Sequence, residues 1–377
     1  MKMDTHLHIV TTENPSSVEN AALADVYFLI KGMFDQKISI HLHCFTKRAS
    51  IPSHQLASFC SSIDYYNRDY SNISFKLDFP YNISSRSSTS LIDRLNQDDY
   101  PILFIGLTNS FPIYNNSVKR SRKTAIRLNK NESNYFNQLS SLVPWKGKKL
   151  HYFVEAYRMR NYLKKMLSKK VTFFCDSKRV SAFSDKRMNQ DSHYVPLFTG
   201  IPPIFHQPGK GHFCLFYGSL STEETAYAAF WLLEHVFNKL AIPFVIAGSN
   251  PSSHLETAAH VRQHTCLVAN PSDTEMQELI KKAQIVLSPA FIQEEGDGNL
   301  LQALSLGRHI LINPKRSNDA QVKSVCHIAE SPEEFIEKAK KLFEIEFNEE
   351  EKFSRQQILN SKFEDIESIQ KIINWLS

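Results

Sequence analysis

Short apolar runs rich in β-forming residues alternate with helix-period segments along almost the whole chain of 377 residues. Residues 6–10 and 38–45 are strand-like runs that flank residues 20–35, where apolar side chains recur at helical spacing. The same rhythm returns after residue 213. Strand and helix in strict alternation favour parallel sheets covered by helices on both faces. The chain is therefore predicted to be an α/β protein with doubly wound parallel sheets.

The alternation breaks once, near the middle of the chain. Seven prolines and glycines fall within residues 193–212, and no periodic pattern survives there. We predict an N-terminal Rossmann-like domain over residues 1–195, a linker over 196–212, and a second Rossmann-like domain over 213–360. The amphipathic segment 361–377 is predicted to form a helix that packs back on the N-terminal domain.

Composition places the chain among ordinary globular proteins. Hydrophobic residues make up 42% and charged residues 22%. No apolar run approaches the roughly 20 residues that span a bilayer, and the first residues have no signal-peptide pattern. The six cysteines are scattered without paired spacing, as in proteins of a reducing compartment. These features predict a cytoplasmic protein.

Positive charge is concentrated in residues 117–187, where 19 basic side chains accompany four acidic ones. Residues 148–170 also carry an apolar stripe that includes Leu150, Phe153 and Tyr157, which predicts a long amphipathic helix. Two interpretations remain open. The stretch could be a solvated basic face, or it could dock on an anionic membrane surface, which would make the protein peripheral on the inner face of a membrane. No nucleic-acid-binding motif accompanies it, so nucleic acid is not a predicted partner.

Two strand-to-loop corners in the second half could hold a phosphate. Gly218 and Ser219 follow one strand, where free backbone N–H groups can meet an anion. After a second strand, Glu295, Gly296, Asp297 and Gly298 form an acidic glycine loop, and a helix opens at Asn299. Helix capping by Glu294 or Glu295 is an alternative. A divalent ion on Glu295 and Asp297 is another, but no third ligand is evident nearby.

Taken in order, these motifs resemble the donor-binding half of GT-B glycosyltransferases of the large retaining class called group 1 or family 4. The N-terminal half resembles one bacterial branch of that class, so the similarity covers nearly the whole chain. The motifs that carry the resemblance are segments 7–10, 25–28, 38–45, 98–104, 218–220, 243–251, 275–283, 287–289 and 295–307, together with Arg127 and Glu132.

The resemblance implies a GT-B architecture, with two Rossmann-like domains facing a cleft. It implies transfer of a hexosyl group from a nucleotide-sugar to a saccharide or lipid-linked saccharide acceptor, with retained anomeric configuration. No cofactor and no metal are required, and the nucleotide-sugar is a substrate. Glu295, Arg127 and Asn129 are the predicted catalytic residues, the last two on the acceptor side. The predicted donor-binding residues are Gly218, Ser219, Gly248, Asn270, Glu275, Gly296, Asp297, Gly298 and Asn299.

Several positions depart from the family pattern, which leaves a second function open. Residues 11–19 contain no glycine, and Asn129 stands where the family has a histidine. Ser219 is followed by Glu223 rather than by basic residues, and Gln302 replaces an acidic side chain. The alternative is a catalytically silent GT-B protein that binds a sugar-nucleotide or glycan or supports an active partner. Arg308, Lys315, Arg316 or Arg127 could instead supply the positive charge. A dehydrogenase is disfavoured, because no G-x-G-x-x-G motif is present.

Overall fold

A computed structural model describes residues 5–15, 21–46, 54–69, 79–119, 121–176, 192–198, 208–293, 298–362 and 365–377. Within these residues the chain forms two parallel sheets, one of seven strands and one of six. The predicted doubly wound α/β class is confirmed.

The N-terminal sheet has the strand order β3-β2-β1-β4-β5-β6-β7, with every pair parallel. Its first six strands therefore follow the 3-2-1-4-5-6 order of a Rossmann fold. The strands are β1 (His6–Thr11), β2 (Ser39–Thr46), β3 (Ser62–Asn67), β4 (Ile102–Ile105), β5 (Thr124–Leu128), β6 (Thr172–Cys175) and β7 (Ser192–Tyr194).

The C-terminal sheet repeats that order as β10-β9-β8-β11-β12-β13, again with parallel pairing. Alternate residues of β8 face two separate apolar layers, since Cys214 and Phe216 lie in one core cluster and Leu215 and Tyr217 in the other. The strands are β8 (Cys214–Ser219), β9 (Phe244–Ser249), β10 (Thr265–Ala269), β11 (Ile285–Ser288), β12 (His309–Ile312) and β13 (His327–Ile328).

Helices connect the strands and cover both faces of each sheet. The first seven are α1 (Ala21–Asp35), α2 (His54–Phe59), α3 (Tyr81–Ser84), α4 (Thr89–Leu95), α5 (Phe111–Tyr114), α6 (Glu132–Leu142) and α7 (Lys146–Leu167). The second domain and the C-terminus carry α8 (Glu223–Trp231), α9 (Ser253–His260), α10 (Asp273–Lys282), α11 (Gly298–Leu306), α12 (Ala320–Ser324), α13 (Pro332–Glu344), α14 (Glu349–Lys362) and α15 (Asp365–Leu376). A π-helical turn, Leu232–Val236, continues α8.

The last helix, α15, lies against the N-terminal domain. Ile369, Ile372 and Leu376 belong to the same buried apolar cluster as Leu7 and Ile9 of β1. The chain thus returns to its first domain after completing the second. Among the described helices, none combines the length and apolarity needed to cross a bilayer.

A hydrogen-bonded chain of four polar side chains runs through the N-terminal domain beside the sheet. His8 Nε2 lies 2.9 Å from Asp98 Oδ1, and His8 Nδ1 lies 2.8 Å from His43 Nε2. His43 Nδ1 lies in turn 3.0 Å from the Tyr66 hydroxyl. Both imidazoles are fully buried. Burial lowers the pKa of His8 to about 4 and that of His43 to about 2, so both rings are neutral at pH 7.

Helix α7 forms where the sequence predicted a long helix, and it carries apolar side chains on two faces. The apolar stripe that includes Leu150, Phe153 and Tyr157 is exposed to solvent. The opposite face of the helix, with Met159 and Tyr162, packs in the core. Amphipathic spacing identified a helix here, but both faces carry apolar side chains.

Candidate functional site

A cavity of about 340 Å³ lies between the two domains, at the carboxyl ends of their strands. In both sheets the strand order reverses beside the first strand, between β1 and β4 and between β8 and β11. Connections leave such a point toward opposite faces and open a crevice, where α/β proteins bind ligands. The lining residues are Asn129–Asn131, Asn134, Tyr135, Leu197, Phe216, Tyr217, Ser219, Thr222, Glu224, Thr225, Ala228, Ser288–Gln293, Gly298, Asn299 and Arg316.

The end of β8 forms one wall of this cleft, and two glycines allow its close packing. A Cβ on Gly248 would lie 1.9 Å from the Gly218 carbonyl oxygen, so only glycine fits beside that strand end. A Cβ on Gly218 would approach the Thr225 methyl group to 3.1 Å and Asn299 Nδ2 to 3.5 Å. The Tyr217 hydroxyl donates a hydrogen bond to the Asn299 carbonyl, 2.6 Å away. The Gly218 corner and the start of α11 therefore lie together.

The loop after β11 forms the second wall. Asn313 holds this loop, because its amide group bonds both the N–H and the carbonyl of Ala290, at 3.0 and 2.7 Å. Gly298 and Asn299 then open α11 at the edge of the cavity. The predicted residues Glu295, Gly296 and Asp297 lie outside the residues that the structure describes.

The third wall comes from the N-terminal domain, and hydrogen bonds connect it to the second domain. The Tyr135 hydroxyl donates to Glu224 Oε1 at 2.8 Å, and the Lys130 ammonium lies 3.8 Å from the centre of the Tyr135 ring. Gln138 Oε1 accepts a hydrogen bond from the Gln293 N–H at 2.7 Å. These contacts bridge the domains across one side of the cleft.

Two basic side chains, Lys130 and Arg316, and one carboxylate, Glu224, line the described part of the cleft. Two basic side chains that line the same cavity as a helix N-terminus suit an anion such as a diphosphate. Of the cations suggested by the sequence, Arg316 lies at the cleft. Arg308 instead bonds the Lys281 and Ala283 carbonyls, away from it.

Arg127 lies outside the cleft and is fully buried. Its guanidinium group makes two hydrogen bonds with the Asp25 carboxylate, at 2.8 and 3.0 Å. It also donates to the carbonyls of Val195 and Pro196, at 3.2 and 2.9 Å. These contacts hold the start of the interdomain segment, so Arg127 has a positioning role in this structure. Asn129, by contrast, reaches the cavity.

Three predicted donor-binding residues lie outside the described lining of the cavity, two at neighbouring strand ends and one in a helix. Gly248 of β9 lies beside Gly218 of β8. Asn270 Oδ1 accepts a hydrogen bond from the Asn250 N–H at 2.8 Å. Glu275 caps α10, where Ser272 donates to it from both its N–H and its hydroxyl, and these bonds lower the pKa of the Glu275 carboxyl. Asn270 and Glu275 are not among the described residues that line the cavity.

The sequence analysis missed Lys130, Asn134 and Tyr135. All three follow β5, so the signal available was the polar run 129–134 directly after a buried strand. Nothing local indicated that this run would face the second domain.

Within the described residues, one cluster could offer three ligands to a metal ion, namely His309, His327 and Glu351. Its ligand atoms lie within 4.8 Å of one another. The two histidines are the first residues of β12 and β13, so the cluster lies at the end of the sheet opposite the cleft. Burial lowers the pKa of His309, and the nearby positive charges of Arg355 and Arg308 lower it further. Both arginines would also repel a cation.

Comparison with known proteins agrees with this architecture. No family model matches the chain, and no curated protein matches it significantly. Solved structures match it over almost its full length, and together with the two facing Rossmann-like sheets they define the GT-B fold.

Three of these structures illustrate the similarity. Sucrose-phosphate synthase from Thermosynechococcus elongatus superposes with a TM-score of 0.73 at 7% identity, covering 98% of each chain. A structure described as trehalose-6-phosphate from E. coli bound with UDP-2-fluoro glucose gives 0.64 at 10% identity, again with 98% of each chain covered. A UDP-glucosyltransferase from Polygonum tinctorium gives 0.57 at 12% identity, with 99% of this chain and 98% of that one covered.

Proposed function

We propose that this protein is a glycosyltransferase that moves a hexosyl group from a nucleotide-sugar to a saccharide or lipid-linked saccharide acceptor. The observation that carries the proposal is the interdomain cleft at the carboxyl ends of both sheets, where the start of α11 and Ser219 lie with Arg316 and Lys130. One GT-B neighbour is described as bound with UDP-2-fluoro glucose, and another is a UDP-glucosyltransferase described as capable of glucosylating indoxyl. Those properties belong to the neighbours, and they support the same kind of donor here.

In this proposal the diphosphate lies against the first turn of α11, near Gly298 and Asn299. Unpaired N–H groups at a helix start attract negative charge, and Arg316 adds a full positive charge from the next loop. Charge that grows on the departing diphosphate is then stabilised by groups already in place. These groups give the leaving group its stabilisation without a required metal. Glu295, Gly296 and Asp297, directly before this helix, would face the transferred sugar.

The acceptor would enter from the N-terminal wall. Asn129, Asn134 and Lys130 offer amide and ammonium groups that can bond sugar hydroxyls or a lipid-linked phosphate. Transfer with retention is proposed from the family resemblance. An anionic membrane surface is proposed as a partner through the basic stretch 117–187.

The second candidate is a silent GT-B protein that binds a sugar-nucleotide without turnover. Glu224 favours it, because its carboxylate lies in the cleft and would repel a diphosphate. The bond from Tyr135 to Glu224 also holds the two domains together, which would hinder opening for substrate exchange.

A donor screen followed by a turnover assay tests both candidates. We expect one class among UDP-, GDP- and ADP-sugars to raise the thermal midpoint, since a ligand at about 100 times its Kd stabilises by roughly 2.7 kcal/mol. Release of nucleoside diphosphate with an acceptor present would establish transfer. Stabilisation without release over a broad acceptor panel would establish the silent binder, and no stabilisation by any donor would contradict both.

A further inference from the structure

The outer face of α7 carries a continuous exposed stripe. Its side chains follow helical spacing, and each one is exposed: Lys146, Leu150, Phe153, Tyr157, Arg160 and Lys164. Leu150 is 64% exposed, Phe153 59% and Tyr157 54%. Trp145, just before the helix, is 67% exposed. Four large apolar side chains within 13 residues of sequence are thus exposed to solvent.

The exposed side chains of α7 are not left over from incomplete packing of the domain core. The inward face of α7 already packs, with Met159, Tyr162 and Met166 fully buried in the N-terminal core cluster. Other strongly exposed apolar side chains, such as Val261 and Phe353, lie far apart in the sequence on different elements. A grouped apolar patch of this kind on a folded protein marks a contact surface.

The charges around the stripe have one sign. Lys146, Lys149, Arg160, Lys164 and Lys165 are exposed along the helix. The single acidic residue of α7, Glu155, is buried, and it accepts hydrogen bonds from Arg158 at 2.7 Å and from the Tyr81 N–H at 3.2 Å. The stripe therefore presents apolar side chains in its centre and positively charged side chains on its flanks and at both ends.

We propose that the outer face of α7 lies on an anionic phospholipid membrane, with Leu150, Phe153 and Tyr157 in the interface and the flanking cations among the headgroups. Helices that bind in the membrane plane combine these features, namely bulky apolar side chains on one face with lysine and arginine beside them. Anionic lipid attracts each nearby cation electrostatically. This docking stands on the surface alone and does not require the proposed transfer reaction.

A second copy of the chain is a poorer occupant of this face. In a two-fold dimer the same patch would meet itself, so the cations Lys146, Arg160 and Lys164 of one copy would lie close to those of the other. Like charges brought together at an interface weaken association. The sign and distribution of charge therefore favour lipid.

The stripe also has a defined position relative to the cleft. Lys148, in the first turn of α7, forms an ion pair with Glu223 at the start of α8. Thr222 and Glu224, on either side of Glu223, line the cavity. The N-terminal end of α7 therefore lies next to the cleft.

Vesicle sedimentation tests this proposal with the full chain. We expect binding to phosphatidylglycerol-containing vesicles, weaker binding at high salt, and little binding to pure phosphatidylcholine. The double variant Leu150→Ser/Phe153→Ser should bind about a hundredfold more weakly, because burial of apolar area contributes strongly to interfacial binding. Phe353→Ser removes an aromatic ring of similar exposure, 60%, from α14 and should bind as the wild type does.

Three results would overturn the proposal. They are equal binding to neutral and anionic vesicles, unchanged binding of the double variant, and a wild-type dimer in velocity sedimentation that the double variant converts to monomer. The last result would assign the face to a second copy. Because both replaced side chains lie in solvent, the thermal midpoint of the double variant should match that of the wild type, and this separates loss of docking from loss of fold.

Discussion

Lowering the pH from 7 to 5 is expected to cost this protein roughly 2 kcal/mol from each of His8 and His43, at 1.36 kcal/mol per pKa unit. The hydrogen bonds along their chain require neutral rings. His8 donates from Nε2 to Asp98 and accepts at Nδ1 from His43, which accepts in turn from the Tyr66 hydroxyl. Protonation of either ring would put a proton on the ring nitrogen that must accept a hydrogen bond. Since folding lowers both pKa values, stability is fully present above the unfolded pKa of about 6.5 and is lost as pH falls below it.

Urea unfolding at pH 7, 6 and 5 measures this effect before most carboxylates protonate. His41, Arg94, Arg122 and Asp64 also act on the pair, so single variants would mix several effects. The double variant His8→Gln/His43→Gln should be less stable at pH 7 and should lose about 4 kcal/mol less than the wild type between pH 7 and pH 5. The acid slope that remains would come from His41, His309 and His327, because burial lowers their pKa values too. His151→Gln, on the exposed face of α7, should keep the wild-type slope. An acid slope in the double variant as steep as that of the wild type would refute the assignment.

Asp25→Ala is expected to destabilise the N-terminal domain by about 3–5 kcal/mol, the usual cost of leaving one charge of a buried ion pair alone. Asp25 accepts hydrogen bonds from the Arg127 guanidinium and, at 2.7 Å, from the Phe198 N–H. It also lies 3.3 Å from Asn129 Nδ2. Loss of this carboxylate would leave the buried Arg127 guanidinium without its counter-charge. It would also remove the hydrogen bond that holds the interdomain segment at Phe198.

The chain offers a matched control on the same helix. Asp35 pairs with Lys31 at the solvent side of α1, and its side chain is 54% exposed. Asp35→Ala should change the free energy of unfolding by less than about 0.5 kcal/mol. The double variant Asp25→Leu/Arg127→Met should recover much of the lost stability, because it removes both charges together. A double variant as unstable as Asp25→Ala would show that the packing of these side chains, rather than their charge, matters.

The fold could be predicted from the sequence because strands and helices leave patterns in short runs of residues. The run 102–105, for example, is apolar on both sheet faces, which is typical of a parallel strand covered by helices. Helix α7 shows the limit of that method. Its spacing revealed a helix, but Leu150 and Met159 are equally apolar, and only the packed structure shows that Met159 is buried and Leu150 exposed.

The site was predictable where it follows directly from a strand end. Ser219 and Asn129 line the cleft at strand termini, and Gly298 and Asn299 line it at the start of α11. Arg127 precedes the end of β5 by one residue, and its side chain turns into the domain to meet Asp25. The positions of Lys130 and Tyr135 depend on how the domains face each other, which no local pattern encodes.

The most direct measurement for the central claim is a calorimetric titration of UDP, GDP and ADP into three forms of the protein. Arg316 and Arg308 are equally shielded, each 9% exposed, but Arg316 lines the cleft and Arg308 does not. We predict that one nucleotide binds the wild type and that Arg316→Gln binds it roughly ten- to a hundredfold more weakly, since a charged hydrogen bond contributes about 1.5–3 kcal/mol. Arg308→Gln should keep the wild-type affinity. No binding of any of the three nucleotides by the wild type, or equal affinity in Arg316→Gln, would contradict a donor site in this cleft.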